Sequence, residues 1–201
     1  PVSDNPITRG RHDLALRLRR HSQGEIGLIV EHMPLLARFT PGRTSALAHW
    51  ALIFRDHYVE NTLGFLLAVR RAGLPAEWIH ALTKGDQTSS RDRIHATLLA
   101  NGIASGVLDN TAINAPDTHA AELATARASL NAFIDHAHAA GRRVLVIDDG
   151  GLIAQGYAHR DAPHPVDAAL ELTVAGLNRI TAAGNLAIPV FNLARSELKT
   201  H

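Results

Sequence analysis

Short apolar runs alternate along the chain with longer segments in which apolar residues recur at helical spacing. Five of the runs predict buried strands: ALIF (51–54), AEWIHAL (76–82), SGVLD (105–109), RRVLVID (142–148) and AIPVF (187–191). Three intervening segments predict helices that end at a glycine: residues 59–73, 89–102 and 118–141. Strands that alternate with helices are typical of βαβ units. We therefore predict a three-layer α/β fold of the Rossmann or flavodoxin-like type, with a mostly parallel sheet of about five or more strands and helices on both faces.

The remaining segment and the chain length predict a single unit. Residues 156–184 predict a proline-containing loop followed by one more helix. No internal repeat or low-complexity tract interrupts the pattern. We therefore treat residues 1–201 as one α/β unit.

Composition narrows the class of protein without naming a function. A hydrophobic fraction of 46% supports a sizeable core, and the formal net charge is only +1. The absence of long apolar stretches and of a signal-peptide pattern predicts a cytoplasmic protein with no membrane partner. The absence of cysteine excludes disulfides and thiolate chemistry. We expect no nucleic-acid partner; the basic stretch at residues 9–21 favours a solvated helix, with an anion-binding face as the alternative.

The sharpest chemical feature is RRVLVIDDGG, a predicted strand followed by two carboxylates and two glycines. This places Asp148 and Asp149 at the carboxyl edge of the sheet, where ligands bind in open α/β folds. In such a pair, one carboxylate can stay charged while the pKa of the other is raised, which suits general acid or base catalysis. The alternative is that one of the two aspartates only caps the following turn.

A histidine follows the first predicted strand in the same way. His57 lies in FRDHYVEN, where it can donate a proton or bind a substrate, or be an ordinary loop histidine. Other histidines lack partners at metal-ligand spacing; His136 and His138, for example, point in different directions on a helix. We therefore expect no metal site. No G-x-G-x-x-G follows a predicted strand, so the usual dinucleotide fingerprint is missing.

Five segments together resemble the substrate-binding domain of S-adenosylhomocysteine hydrolase. EHMPLLARF (31–39) resembles the family's E-M-P-G-L-M segment, and DHYVENTLGFLLAVRRAGL (56–74) resembles its histidine-bearing helix entry. VIDDGG (146–151) resembles L-D-D-G-G-D-L-T, and ELTVAGLNRI (171–180) resembles E-E-T-T-T-G-V. IPVFNLARSELK (188–199) resembles V-P-A-I-N-V-N-D-S-V-T-K.

The resemblance implies a set of site residues. For catalysis they are Asp149, Lys199 and His57; for substrate binding, Asp148, Glu171 and Asn192; and for the cofactor, Thr173. In the family, NAD oxidises the ribose 3'-hydroxyl before a thiol is eliminated, a reaction that belongs to one-carbon metabolism. The implied function is NAD-dependent chemistry on a small nucleoside or sugar-like substrate in a hydrolase that forms oligomers.

In the family, the lysine motif leads through a hinge to an NAD-binding domain, whereas this chain stops at His201. We therefore expect the substrate domain of a longer protein, with NAD bound by a C-terminal domain and not by this chain alone. Leu172 replaces the family's second glutamate, which holds the ribose hydroxyls, and Val59 replaces a threonine. These departures leave a second interpretation, a catalytically silent module that binds a small molecule or a partner.

Overall fold

The computed structural model describes residues 19–39, 42, 45–85 and 88–197. This part of the chain contains a six-stranded sheet whose strands are β1 (Trp50–Asp56), β2 (Ile79–Thr83), β3 (Ala104–Val107), β4 (Arg143–Asp148), β5 (Ala168–Glu171) and β6 (Val190–Asn192). The spatial order is β3-β2-β1-β4-β5-β6, and every neighbouring pair is parallel. The predicted α/β class with a parallel sheet is confirmed.

Helices cover both faces of the sheet. Within the described ranges they are α1 (Gln23–Glu31), α2 (Pro34–Phe39), α3 (Glu60–Arg71), α4 (Arg91–Ala100), α5 (Asn110–Asn114), α6 (Ala120–Ala139) and α7 (Val174–Ala183). Short 3-10 turns at Ala76–Trp78 and Leu152–Gln155 complete the connections. None of these helices combines the length and the apolar character needed to cross a bilayer.

Each face of the sheet has its own core, because successive side chains of a strand point to opposite faces. Ile53 and Val146 belong to a buried cluster with side chains of α6 and α7. Leu52 and Phe54 belong to a second cluster with side chains of α1, α3 and α4. The alternation decides which polar residues at the strand ends face which layer of helices.

The sequence prediction for residues 156–184 is wrong in one respect. Strand β5 lies inside this segment, and only α7 (Val174–Ala183) at its end is helical. The four residues of β5 read AALE, a composition that favours helix over strand. They form a strand because β4 and β6 pair with them on both sides.

The strand order identifies where a ligand is expected. From β1 the chain proceeds to β2 and β3 on one side, and β4, β5 and β6 follow on the other. This is the order 3-2-1-4-5-6 of doubly wound, Rossmann-like sheets, in which ligands bind at the carboxyl ends of the strands where the order reverses. The expected crevice therefore lies beyond the ends of β1 and β4.

Candidate functional site

The carboxyl ends of β1 and β4 place two aspartates side by side. Arg55 is paired with Asp148 at the end of the ladder, and the backbone N–H of Asp149 donates to the Arg55 carbonyl at 2.9 Å. Asp56 and Asp149 therefore follow the last paired residues on neighbouring strands. By the alternation of the strands, they lie on the face that carries Leu52 and Phe54.

His57 is held beside this pair by its backbone. Its N–H donates to Oδ1 of Asp56 at 2.7 Å, and its carbonyl accepts a bond from the Thr62 hydroxyl at 2.6 Å. Thr62 lies in the first turn of α3, so the start of that helix fixes the loop. The imidazole of His57 is 43% exposed, whereas the Asp149 side chain is 13% exposed. His57 thus forms the accessible part of the cluster.

A lysine from a third strand end joins the cluster. Lys84 directly follows β2, and its side chain is only 10% exposed. The ammonium Nζ lies 2.9 Å from Oδ1 of Asp149 and 3.3 Å from Nε2 of His57. Since an ammonium has only protons to donate, Nε2 of His57 accepts in this arrangement. The ends of β1, β2 and β4 therefore contribute to one site.

Burial changes the acid–base behaviour of Asp56. Loss of hydration raises the pKa of its carboxyl from 3.8 to about 6, and the neighbouring Asp149 charge adds to the rise. The hydrogen bond from the His57 N–H acts in the opposite direction. A carboxyl group that titrates near neutral pH is suited to accept or donate a proton.

A fully buried ion pair supports the site from the other face of the sheet. Arg55 donates to Oδ1 of Asp148 at 3.1 Å and to the Asp149 carbonyl at 2.9 Å, and both side chains of the ion pair are 0% exposed. The same guanidinium donates to the Leu108 carbonyl at 3.0 Å and to Asn110 at 2.6 Å. The second Asp148 oxygen accepts from the Leu152 N–H. Arg55 and Asp148 thus fix the turn that carries Asp149.

Glu171 holds the two glycines of the DDGG turn. Its carboxylate accepts from the backbone N–H groups of Gly150 at 3.3 Å and Gly151 at 3.1 Å. Both glycines have positive φ values, +125° and +85°, which disfavour residues with a Cβ. The hydroxyl of Thr173 donates to Glu171 at 2.7 Å and accepts from the Gly176 N–H at 3.0 Å, so it also caps α7.

The structure divides the predicted site residues into groups. It brings Asp149 and His57 together, as the crevice prediction requires. Asp148 and Glu171 are buried, and their carboxylates bind backbone and side-chain donors of the protein itself. Asn192 accepts from the Ala194 N–H at 2.6 Å, and Thr173 caps a helix. Their roles in substrate or cofactor binding stay predictions.

Some residues of the prediction lie outside the described part of the chain. Lys199 is among them, as are residues 9–18 of the basic stretch. Conversely, sequence reasoning missed Asp56 and Lys84 as members of the site. The available signal was the position of each at the end of a strand, and Lys84 is one of only two lysines in the chain.

Three potential metal ligands lie close together in the structure, although the spacing of residues in the sequence predicts no metal site. Among the described residues, Asp56, His57 and Asp149 can each offer one ligand atom, and these atoms lie within 4.8 Å of one another. Their distance along the chain hides this grouping, because the donors come from two strands. Carboxylate and imidazole donors together suit several divalent metals.

The turn after β1 does not suit a dinucleotide. In dinucleotide-binding folds this turn is glycine-rich and approaches the pyrophosphate closely. Here it reads D-H-Y-V from Asp56 to Val59, and the carboxylates of Asp56 and Asp149 would repel a phosphate. The residues present therefore do not fit NAD at this position.

Two clefts lie elsewhere on the described part of the molecule. One has a volume of about 520 Å³ and is lined by Arg70, Arg71 and Asn101 among others. The other has a volume of about 590 Å³ and lies beside β3, with His80 and Val107 in its wall. Neither is lined by Asp149, His57 or Lys84.

Comparison with protein-family models finds no match for this chain, and comparison with curated proteins finds none either.

Proposed function

We propose that the carboxyl edge of the sheet binds a small hydroxyl-bearing substrate of the nucleoside or sugar type, and that Asp149 is the general base that acts on it. The observation that carries this proposal is the convergence of Asp149, His57, Lys84 and Asp56 where the strand order reverses. The resemblance to the substrate-binding domain of S-adenosylhomocysteine hydrolase supports the choice of substrate class, since Asp149 and His57 match its motifs.

The cluster supplies a path for one proton. The Asp149 carboxylate takes a proton from the substrate, and the neighbouring Asp56, whose pKa is raised to about 6, receives it in turn. His57 is the most exposed of the charged or polar groups and orients the substrate through its imidazole. NAD held by a separate domain would accept a hydride in the redox form of this chemistry, and that part of the proposal rests on the resemblance alone.

A second candidate function is a binding module without catalysis. The observation that favours it is the use of Glu171 inside the protein, because the resemblance assigns that residue to the substrate. Leu172 occupies the position of the family's other carboxylate. A pocket with this loss would bind a ligand through His57 and Asp149 alone.

The test is binding of adenosine, measured by isothermal titration calorimetry on the wild type and on Asp149→Asn. A hydrogen bond to a charged group contributes about 1.5–3 kcal/mol, so we expect Asp149→Asn to weaken binding by about tenfold or more. The control is Glu77→Gln, an exposed acid that precedes β2 at the opposite edge of the sheet. Its affinity should equal that of the wild type.

Addition of NAD to the adenosine complex of the protein purified from its natural source separates the two candidates. Formation of NADH that depends on Asp149 supports the enzyme. Binding without NADH formation, in protein purified from its natural source, supports the silent module. Failure of the wild type to bind adenosine, other nucleosides or ribose would contradict the proposal.

A further inference from the structure

We infer that Lys84 is the cation of this site: its ammonium contacts Asp149 and His57, two of the three groups that could hold a divalent metal, and it stabilises negative charge on a substrate oxygen. The catalytic part of this inference rests on the proposed function, whereas the cation position rests on geometry alone. It assigns a catalytic role to a residue that the sequence resemblance does not include.

The three surrounding groups form a cation-binding set. Asp56 ends β1 and Asp149 directly follows β4, and an imidazole nitrogen of His57 lies 3.7 Å from one oxygen of Asp149. All three potential ligand atoms lie within 4.8 Å of one another. Two carboxylates at this separation repel each other unless a positive charge lies between or beside them. With both carboxylates charged, the site therefore requires a cation beside them; a proton on Asp56, whose pKa is raised to about 6, is the other way to relieve the repulsion.

Lys84 meets that requirement. Its Nζ contacts Oδ1 of Asp149 at 2.9 Å and Nε2 of His57 at 3.3 Å, so it binds two of the three potential metal ligands. A metal ion bonded to the same two atoms would compete with the ammonium for them. Within the described part of the chain, the contacts of Lys84 use two of its three ammonium protons. The third proton is left for a ligand oxygen.

The backbone around Lys84 is fixed in a way that suits a preorganised charge. Its N–H donates to the Asp56 carbonyl at 3.3 Å, and the carbonyl of Gly85 accepts from Arg91 at 3.1 Å. Gly85 has a φ of +84°, and a Cβ there would overlap the side chain of Asp109. A lysine held in this way differs from a solvated surface lysine, because little reorganisation is needed when charge develops on the substrate.

The proposed roles of Asp149 and Lys84 together indicate the class of substrate. When Asp149 removes the proton of a substrate hydroxyl, the O–H bond breaks and its electron pair stays on the oxygen. The Lys84 ammonium stabilises this oxyanion by donating a hydrogen bond, and it keeps all its protons. The substrate is therefore an alcohol whose oxygen gains negative charge during reaction.

The experiment is a Mn²⁺ titration of wild type, Lys84→Ala, Lys84→Arg and the double variant Lys84→Ala/Asp149→Asn, followed by calorimetry and by the Mn²⁺ electron paramagnetic resonance signal. Removal of the ammonium leaves two carboxylates and an imidazole, so Lys84→Ala should bind one Mn²⁺ at least about tenfold more tightly than the wild type. Lys84→Arg keeps the positive charge and should bind like the wild type. The double variant should lose the increase in Mn²⁺ affinity that Lys84→Ala shows over the wild type.

Equal Mn²⁺ affinity in wild type and Lys84→Ala would overturn the inference, and so would absence of binding in folded Lys84→Ala. Circular dichroism checks the fold of each variant, and Arg71→Met, which removes an exposed charge at the end of α3, controls for loss of a surface cation. No substrate takes part in this titration. Its outcome is therefore distinct from failure of the proposed function, which appears as loss of adenosine binding by the wild type.

Discussion

The polar residues at the ends of β1 and β4 form two pairs with different roles. The pairs lie on opposite faces of the sheet because successive side chains of a strand alternate between the faces. Arg55 and Asp148 point to one face and form a fully buried pair beneath the turn. Asp56 and Asp149 follow them on the opposite face, beside His57 and Lys84. One pair therefore holds the turn, and the other provides the groups that we propose bind a ligand.

Arg55→Met is expected to destabilise the protein strongly. The variant leaves the carboxylate of Asp148 buried without its cation, and loss of one partner of a buried ion pair typically costs about 3–5 kcal/mol. Urea denaturation measures the change in the free energy of unfolding. The matched control is Arg19→Met, which breaks an exposed ion pair with Glu25 and should cost less than about 1 kcal/mol. Equal losses in the two variants would contradict the role of Arg55.

The raised pKa of Asp56 predicts that the free energy of unfolding decreases as the pH rises. Its pKa in the folded protein, about 6, lies above the ordinary value of 3.8, so the folded state holds this proton more tightly. The stability from Asp56 is thus fully present below about pH 4 and is lost as the pH rises through about 6. Asp56→Asn should remove this loss and raise the free energy of unfolding at pH 7 by about 1–2 kcal/mol, allowing for solvent screening.

The measurement for Asp56 is urea denaturation at several pH values, together with a carbon NMR titration of the aspartate carboxyls. Glu77→Gln is the control, because it removes an exposed acid away from the site. A carboxyl of Asp56 that titrates near its ordinary value, or an unchanged pH profile in Asp56→Asn, would disprove this prediction.

At the residue scale, the sequence predicts only part of the site. Asp149 and His57 are recognisable because each follows an apolar run, and strand ends are where ligands bind. Lys84 also follows a strand, yet nothing in its neighbourhood shows that it reaches Asp149, which is 65 residues away in the chain. The burial of Asp148 and Glu171 is equally hidden, since it depends on Arg55 and on the backbone of the DDGG turn.

At the scale of the elements, α7 and β5 determine the shape of the DDGG turn. Glu171 ends β5 and binds Gly150 and Gly151, while Gly176 in the first turn of α7 lies directly against the Glu171 carboxylate. The close approach of this helix requires a residue without a side chain. The position of the site residue Asp149 therefore depends on the packing of α7 against Glu171 and the DDGG turn.

Gly176→Ala tests this dependence. A Cβ at residue 176 would overlap the carboxylate of Glu171, which cannot move without breaking its bonds to the turn, so we expect a loss of about 1–3 kcal/mol in urea denaturation. The matched control is Gly27→Ala in α1, where a Cβ meets nothing within 4 Å. Alanine is the better helix former, so the control should be stabilised by about 0.5–1 kcal/mol. Stabilisation of both variants would contradict the close packing of Gly176 against the Glu171 carboxylate.

At the same scale, the sequence pattern is sufficient to predict three of the helices but not strand β5. The predicted helices at 59–73, 89–102 and 118–141 contain α3, α4 and α6, because their apolar residues recur at helical spacing over two turns or more. Strand β5 is missed, because four residues rich in alanine and leucine carry no alternation that could separate strand from helix. Pairing with β4 and β6 decides its conformation, and such tertiary effects are absent from local sequence.

At the scale of the whole molecule, the strand order gathers distant residues into one place. The alternation of strands and helices predicts a parallel sheet, but it leaves the order of the strands open. The order 3-2-1-4-5-6 brings the ends of β1, β2 and β4 together at the point of reversal. We therefore expect a ligand to bind there, and not in the clefts beside Arg70 or beside β3.

The most direct test is an amide NMR titration of the protein with adenosine. We expect the largest chemical-shift changes on His57, Lys84, Asp149 and Gly150, and we expect Asp149→Asn to reduce them. Changes that cluster instead around Arg70 and Asn101, or around His80 and Val107, would place the ligand in another cleft and contradict the account. Absence of any change with adenosine, other nucleosides or ribose would contradict it as well.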